Sequence, residues 1–262
     1  MAITKNDIKE LQSLRQAKGR RELGIFAVEG NKLVEELLKT KFRIDNIFVT
    51  GQWVEKNASF AKEITAYEVI TAKQMEQITN FVTAPGIFAT AAIPSFRITP
   101  KDAEHGLILM LDGINDPGNL GTILRIADWF GITSVVAAPD TVDIFNPKVV
   151  QSTMGAIFRV DFHYADLTSF AKDILHAGGH VYGTFLDGRN IYSRELETGD
   201  DSPAVIVIGN ESNGISDAMA ELVSDRLYIP PFPQGAQTSE SLNAAVATAI
   251  TVAEFRRRAW AR

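Results

Sequence analysis

Three short polar clusters interrupt apolar stretches of this chain, each where a ligand could be met. The first lies in residues 111–131, LDGINDPGNLGTILRIADWFG, after the apolar run Leu107-Ile108-Leu109-Met110. A strand there runs into a Gly/Asn/Asp/Pro turn, and the turn opens a helix with Leu120, Ile123, Leu124 and Ala127 at helical spacing until Gly131 stops it. Asn119 and Arg125 fall in that helix, and Arg125 lies off the apolar stripe, so it can point at a site beside the turn. A solvated arginine and a capping asparagine would give the same pattern. The second cluster is in residues 204–216, AVIVIGNESNGIS, where Glu211 sits in a turn at the carboxyl end of an apolar strand and the glycines permit close backbone approach to a ligand. An acid beside a helix start also simply favours the helix dipole. The third is in residues 227–258, LYIPPFPQGAQTSESLNAAVATAITVAEFRRR: an Ile-Pro loop able to wrap a flat ligand through backbone groups leads to Ser241 and Asn243 at a helix start. Taken alone, those two residues read as caps.

The elements needed to hold such clusters alternate along the chain. Residues 1–95 read as a small α/β unit: a helix over 4–20, strands near 24–28, 45–50, 66–70 and 86–92, and helices after the EG turn at Glu29-Gly30, over 53–64 and over 73–78. Residues 96–106 are polar, flanked by proline and without periodicity, which places a linker there. Residues 107–262 then alternate strand (107–111, 134–138, 158–162, 180–185, 204–208, 226–229) with helix (119–130, 146–153, 167–177, 216–224, 241–258), the pattern of a mostly parallel sheet covered on both faces. Small residues dominate the last helix, so another element must pack close to it, in the same subunit or across a dimer.

Composition narrows the chemistry. A chain of 262 residues with 45% hydrophobic side chains buries a real core. With no cysteine, disulfides and thiolate metal sites are excluded. The mixed-charge N-terminus does not read as a signal peptide, and no apolar run approaches membrane-spanning length, so a cytoplasmic protein without membrane contact is expected. The net charge of −6 is uneven, +3 over residues 1–97 and −9 over the rest, and Lys5, Lys9, Arg15, Lys18, Arg20 and Arg21 meet only Asp7 and Glu10 before residue 22. A local basic face is compatible with a nucleic-acid partner, and also with an ordinary solvated helix. His176 and His180 flank glycines at a helix end and do not read as metal ligands; no metal is expected. No HExxH, paired catalytic carboxylates, nucleophile elbow, phosphate loop or G-x-G-x-x-G fingerprint is present, which speaks against a nicotinamide oxidoreductase on an α/β fold.

Together the three clusters resemble, in order, the signature motifs of the SpoU (TrmH-like) branch of the SPOUT methyltransferases: PGNLGTILR, VIGNESNGIS, and YIP followed by SLNAAVATAI. The match covers roughly residues 107–258. Residues 1–95, with EG in FAVEGNKLV, resemble the ribosomal-protein-like α/β substrate domain that many ribosomal RNA members carry. The resemblance implies a catalytic domain with a C-terminal trefoil knot, a homodimer, and S-adenosyl-L-methionine as cofactor for 2′-O-ribose methylation of RNA. Asn119, Arg125, Glu211, Ser241 and Asn243 match the family's polar site residues, and Thr184, Gly209, Ile229 and Leu242 its cofactor contacts. Lys18, Arg20, Arg21 and Lys32 are candidate RNA phosphate contacts. Residues 229–241, IPPFPQGAQTSES, depart from the usual IPM-type loop, being longer and richer in proline. Large-subunit ribosomal RNA is the expected substrate; transfer RNA, or a non-catalytic RNA-binding or ribosome-assembly role on the same fold, are the alternatives.

Overall fold

The computed structural model describes residues 3–95, 106–193, 195–196, 202–233 and 240–260. Residues 96–105 of the expected linker and 234–239 of the proline-rich loop lie outside them. The chain divides into two compact units, Met1–Ser95 with Asp143–Phe158, and Phe96–Val142 with Arg159–Arg262.

In the first unit, α1 (Lys5–Ser13), α2 (Ala17–Leu23), β1 (Ile25–Glu29), α3 (Asn31–Leu38), β2 (Ile44–Thr50), α4 (Gly51–Lys56), α5 (Ala58–Glu63), β3 (Glu68–Ile70), α6 (Ala72–Ile78) and β4 (Ile87–Ala92) follow one another. The sheet order is β1-β4-β2-β3. The single helix expected over 4–20 is two. Gly19 packs so tightly on the end of α1 that a Cβ there would meet the Ser13 carbonyl at 2.3 Å, and the Arg20 guanidinium takes the Leu14 carbonyl at 2.7 Å. The helix expected over 53–64 is likewise broken at Asn57, whose side-chain amide donates to the Trp53 carbonyl at 2.9 Å and competes with the backbone for it.

The second unit carries β5 (Leu107–Asp112), α7 (Pro117–Trp129), β6 (Ser134–Ala137), β7 (Asp161–Tyr164), α9 (Leu167–His176), β8 (His180–Asn190), β9 (Ala204–Gly209), α10 (Asp217–Ala220), β10 (Asp225–Tyr228) and α11 (Ala244–Trp260); α8 (Pro147–Ser152) belongs to the first unit. The strand expected over 158–162 starts later. Ile157 and Phe158 are instead buried in the first unit's core, where the Phe158 ring meets Phe42 edge-on at 5.4 Å.

The six strands are all parallel in the order β10-β8-β9-β5-β6-β7. Their continuous apolar runs are buried on both faces; Leu109, Met110, Val207 and Ile206 are wholly inaccessible. After β5 the chain steps outward through β6 to β7, then returns on the other side of β5. The carboxyl ends of β5 and β9 therefore flank the point where strand order reverses, which in open α/β sheets is where a crevice for a ligand opens.

Candidate active site

The loop after β5 turns at Gly113, with φ of 76°, and enters α7 through an Asp-Pro start. The Asp116 carboxylate accepts from the Asn119 amide at 2.7 Å, and Pro117 fills the first turn, where its missing N–H costs nothing. Asn119 is thus the third helical residue, its backbone capped by Asp116 and its side chain left for other partners.

The loop after β9 closes on itself through paired backbone hydrogen bonds between Asn210 and Gly214, each 2.9 Å. Glycine is required at 209, because a Cβ there would come within 2.3 Å of the Gly214 backbone. The Asn210 side chain ties the two loops together: its amide donates to the Gly113 carbonyl at 2.6 Å, while its oxygen accepts from the Ser212 and Asn213 amides at 2.8 and 3.1 Å. A second tie runs from the Ser216 amide to the Asp112 carboxylate at 2.7 Å.

On this frame the three polar clusters meet. Asn119 Nδ2 donates to Glu211 Oε1 at 2.8 Å, the Asn115 amide reaches Glu211 Oε2 at 3.4 Å, and Asn243 Nδ2 donates to Asn119 Oδ1 at 2.9 Å. A carboxylate only accepts, so the Asn119 amide must turn its nitrogen to Glu211 and its oxygen to Asn243. Asn243 also caps α11, its oxygen accepting from the Ala245 and Val246 amides at 3.0 and 3.3 Å, so one side chain both caps the helix and bonds Asn119. Arg125 projects from α7 into solvent, about 9 Å along the helix from Asn119. It makes no hydrogen bond or ion pair to a described residue. Ser241 is exposed and likewise makes no side-chain hydrogen bond to one.

Thr184 lies within β8, just past the stretch that pairs with β9, Gly209 ends the neighbouring β9, Ile229 follows β10, and Leu242, 46% exposed, precedes α11. None of the four is charged, so they offer backbone groups, apolar surface and the Thr184 hydroxyl. Beyond Thr184, the Arg226 guanidinium covers the Phe185 ring at 3.5 Å and bonds Asp187 at 2.6 Å, a hydrogen bond that holds the Asp187 carboxyl below its ordinary range.

Among the four cationic candidates, Lys18, Arg21 and Lys32 are exposed, Lys18 in a loose ion pair with Glu22 at 3.8 Å. Arg20 is a correction. It is 2% exposed, paired with Asp143 (Nε to Oδ2, 3.1 Å) and bonded to the Leu14 carbonyl, so its guanidinium is spent on folding and cannot reach a phosphate. Asp116 and Asn210 were not singled out by sequence. The Asp-Pro pair ahead of an apolar helix is a start signal that marks Asp116, whereas nothing separates Asn210 from other turn asparagines.

Residues 106–253 match a family model described as the SpoU rRNA Methylase family, and residues 5–89 one described as the MRM3-like substrate binding domain. The 23S rRNA (guanosine(2553)-2′-O)-methyltransferase RlmP of Bacillus subtilis is 31% identical over 249 residues, 95% of each chain. Among solved structures, a protein from Porphyromonas gingivalis assigned to the TrmH family of RNA methyltransferases superimposes with a TM-score of 0.85 at 37% identity, over 98% of this chain and 100% of that one. An AdoMet-bound rRNA methyltransferase from Sinorhizobium meliloti does so with a TM-score of 0.82 at 28% identity, over 98% and 97%.

Proposed function

The chain belongs to the SpoU rRNA methylase family, and from that premise we propose that it methylates a ribose 2′-hydroxyl of ribosomal RNA in the cytoplasm with S-adenosyl-L-methionine as donor. The observation that carries this is the Glu211–Asn119–Asn243 chain, which joins three distant stretches at the carboxyl ends of β5 and β9. The cofactor fits the residues present: a flat, largely neutral adenosine suits the uncharged set Thr184, Gly209, Ile229 and Leu242, with the half-exposed Leu242 side chain as an apolar contact.

When bound, the cofactor supplies an electrophilic methyl group on a sulfonium. The protein must place the ribose oxygen behind that methyl and accommodate the departing proton. Arg125, unpaired among the described residues and solvent-facing, is assigned to the RNA phosphate and the reacting hydroxyl. An arginine keeps its proton across the physiological range and is a poor base, so its main work is orienting the phosphate and stabilising charge as the proton leaves. Asn119 and Asn243 hold the loops in register, Glu211 tethers the β9 loop to the α7 start, and Ser241 faces the ribose. A C-terminal trefoil knot and a homodimer go with the same assignment.

The test is transfer of labelled methyl groups to ribosomal RNA purified from a strain lacking the gene, with digestion to nucleosides. A 2′-O-methylnucleoside is the expected product. Arg125→Ala lowers turnover by at least about a hundredfold while calorimetry gives an unchanged cofactor Kd; wild-type turnover by that variant contradicts the role.

A further inference from the structure

The first unit holds a cleft of about 330 Å³ that the methyl-transfer site does not use, between the β1–α3 turn, the loop after α6 and the end of α8. Its apolar walls include Phe81 and Met154, and its polar side chains are Glu29, Asn31, Lys32, Thr83 and Gln151, of which Glu29 and Asn31 are already engaged in the protein's own hydrogen bonds. Both sides are fixed before any ligand arrives. The buried Glu29 carboxylate clamps the loop after α6 by accepting from Thr79 Oγ1 at 2.5 Å and the Asn80 amide at 3.1 Å. Arg15 holds the same loop through the Gln77 and Thr79 carbonyls at 2.9 and 2.8 Å. Opposite, Asn31 is locked between Trp53 Nε1 at 2.6 Å and Asn57 at 2.9 Å. The apolar lining nevertheless faces water: Phe81 is 36% exposed, Met154 38%, and the adjoining Val82 fully so. Met154 also sits at φ of 51°, a left-handed conformation that disfavours its side chain.

We propose that this cleft takes one unstacked nucleotide of the RNA substrate, its base against Phe81 and Met154 and its phosphate at Lys32. The proposal rests on the assignment of the chain as an RNA methyltransferase. The volume falls in the range of small-ligand sites, and an aromatic face with an apolar wall, a hydroxyl, an amide and one lysine is the set that single-stranded RNA recognition uses: a stacking surface, hydrogen bonds to base edges and a cation for the backbone. All the lining residues except Gln151 and Met154 fall within the segment matched to a substrate-binding domain.

The experiment uses the full chain and ribosomal RNA from a strain lacking the gene. Phe81→Ala and Met154→Ala raise the Kd for that RNA, and KM for it, roughly tenfold, the scale of one lost stacking contact; Phe81→Trp retains binding, and Val69→Ala, exposed on β3 away from the cleft, changes nothing. Ultraviolet cross-linking of the wild-type chain adds a readout independent of variant folding and places RNA on residues 77–85. Wild-type Kd and KM in both alanine variants, or no cross-link in 77–85, overturns the cleft while methylation by the wild type stands. Absence of any binding or methylation by the wild type overturns both proposals together.

Discussion

Asn119 has two partners with opposite hydrogen-bonding needs, and that makes even an isosteric change there costly in the proposed site. Asn119→Asp sets a second carboxylate 2.8 Å from Glu211 where a donor stood, and like charges at that separation disfavour joint ionisation. The expected result is a fall in kcat/KM by about a hundredfold, the scale for shifting a positioning group by an ångström. Activity recovers in part as the pH is lowered toward the carboxylate range, because the introduced carboxyl, once protonated, can donate again. A pH profile parallel to wild type would contradict the bridging role. That Asn119, Glu211 and Asn243 converge was legible in the order and separation of three motifs, although Asn243 is a cap as well. Arg20 was misread for a physical reason: a count of cations in a helix does not tell which one turns inward to a carbonyl and an aspartate far along the chain.

At the scale of elements, α11 is anchored at both ends. Asn243 caps its start, and near its end the buried Glu254 is hydrogen-bonded by Arg257 at 2.7 Å and Arg258 at 2.7 Å, while Arg258 also reaches the Ile191 carbonyl at 3.0 Å. The Arg257 hydrogen bond first, and then that of Arg258, holds the Glu254 carboxyl below its ordinary range against the opposing effect of burial. A carboxyl lowered in the folded state contributes stability that is complete above its unfolded-state pKa and is lost as the pH falls through the folded value. Glu254→Gln therefore destabilises by about 2 kcal/mol at neutral pH, and the gap to wild type in urea melts closes as the pH falls below about 4. A gap independent of pH would show that packing rather than charge is at stake. Periodicity located every strand of the large sheet and most helices, but not their limits. The breaks at Gly19 and Asn57 come from contacts that a hydrophobic pattern does not encode, and β8 runs to Asn190 because its far end pairs with β10 after a register shift.

For the whole molecule, the division into units was only partly readable. Residues 143–158 lie between β6 and β7 in sequence yet belong to the first unit, where Phe145 packs on Phe26 at 4.6 Å between ring centres and Asp143 pairs with Arg20. Those partners are over a hundred residues away, beyond the reach of any local pattern. Arg20→Ala is expected to destabilise the protein by about 3 kcal/mol, the cost of breaking a buried ion pair, while the salt dependence of RNA binding by the still-folded fraction keeps its slope. Lys32→Ala shows the reverse: unchanged melting and a slope reduced by roughly one. Equal slopes for wild type and Lys32→Ala would remove Lys32 from the RNA surface. The most direct measurement is a map of 2′-O-methylation across ribosomal RNA from a strain deleted for the gene, beside its parent and strains complemented with wild type or Arg125→Ala. One methylated position lost on deletion, restored by the wild type and not by Arg125→Ala, is the predicted result; an unchanged map, or full restoration by Arg125→Ala, would contradict the account.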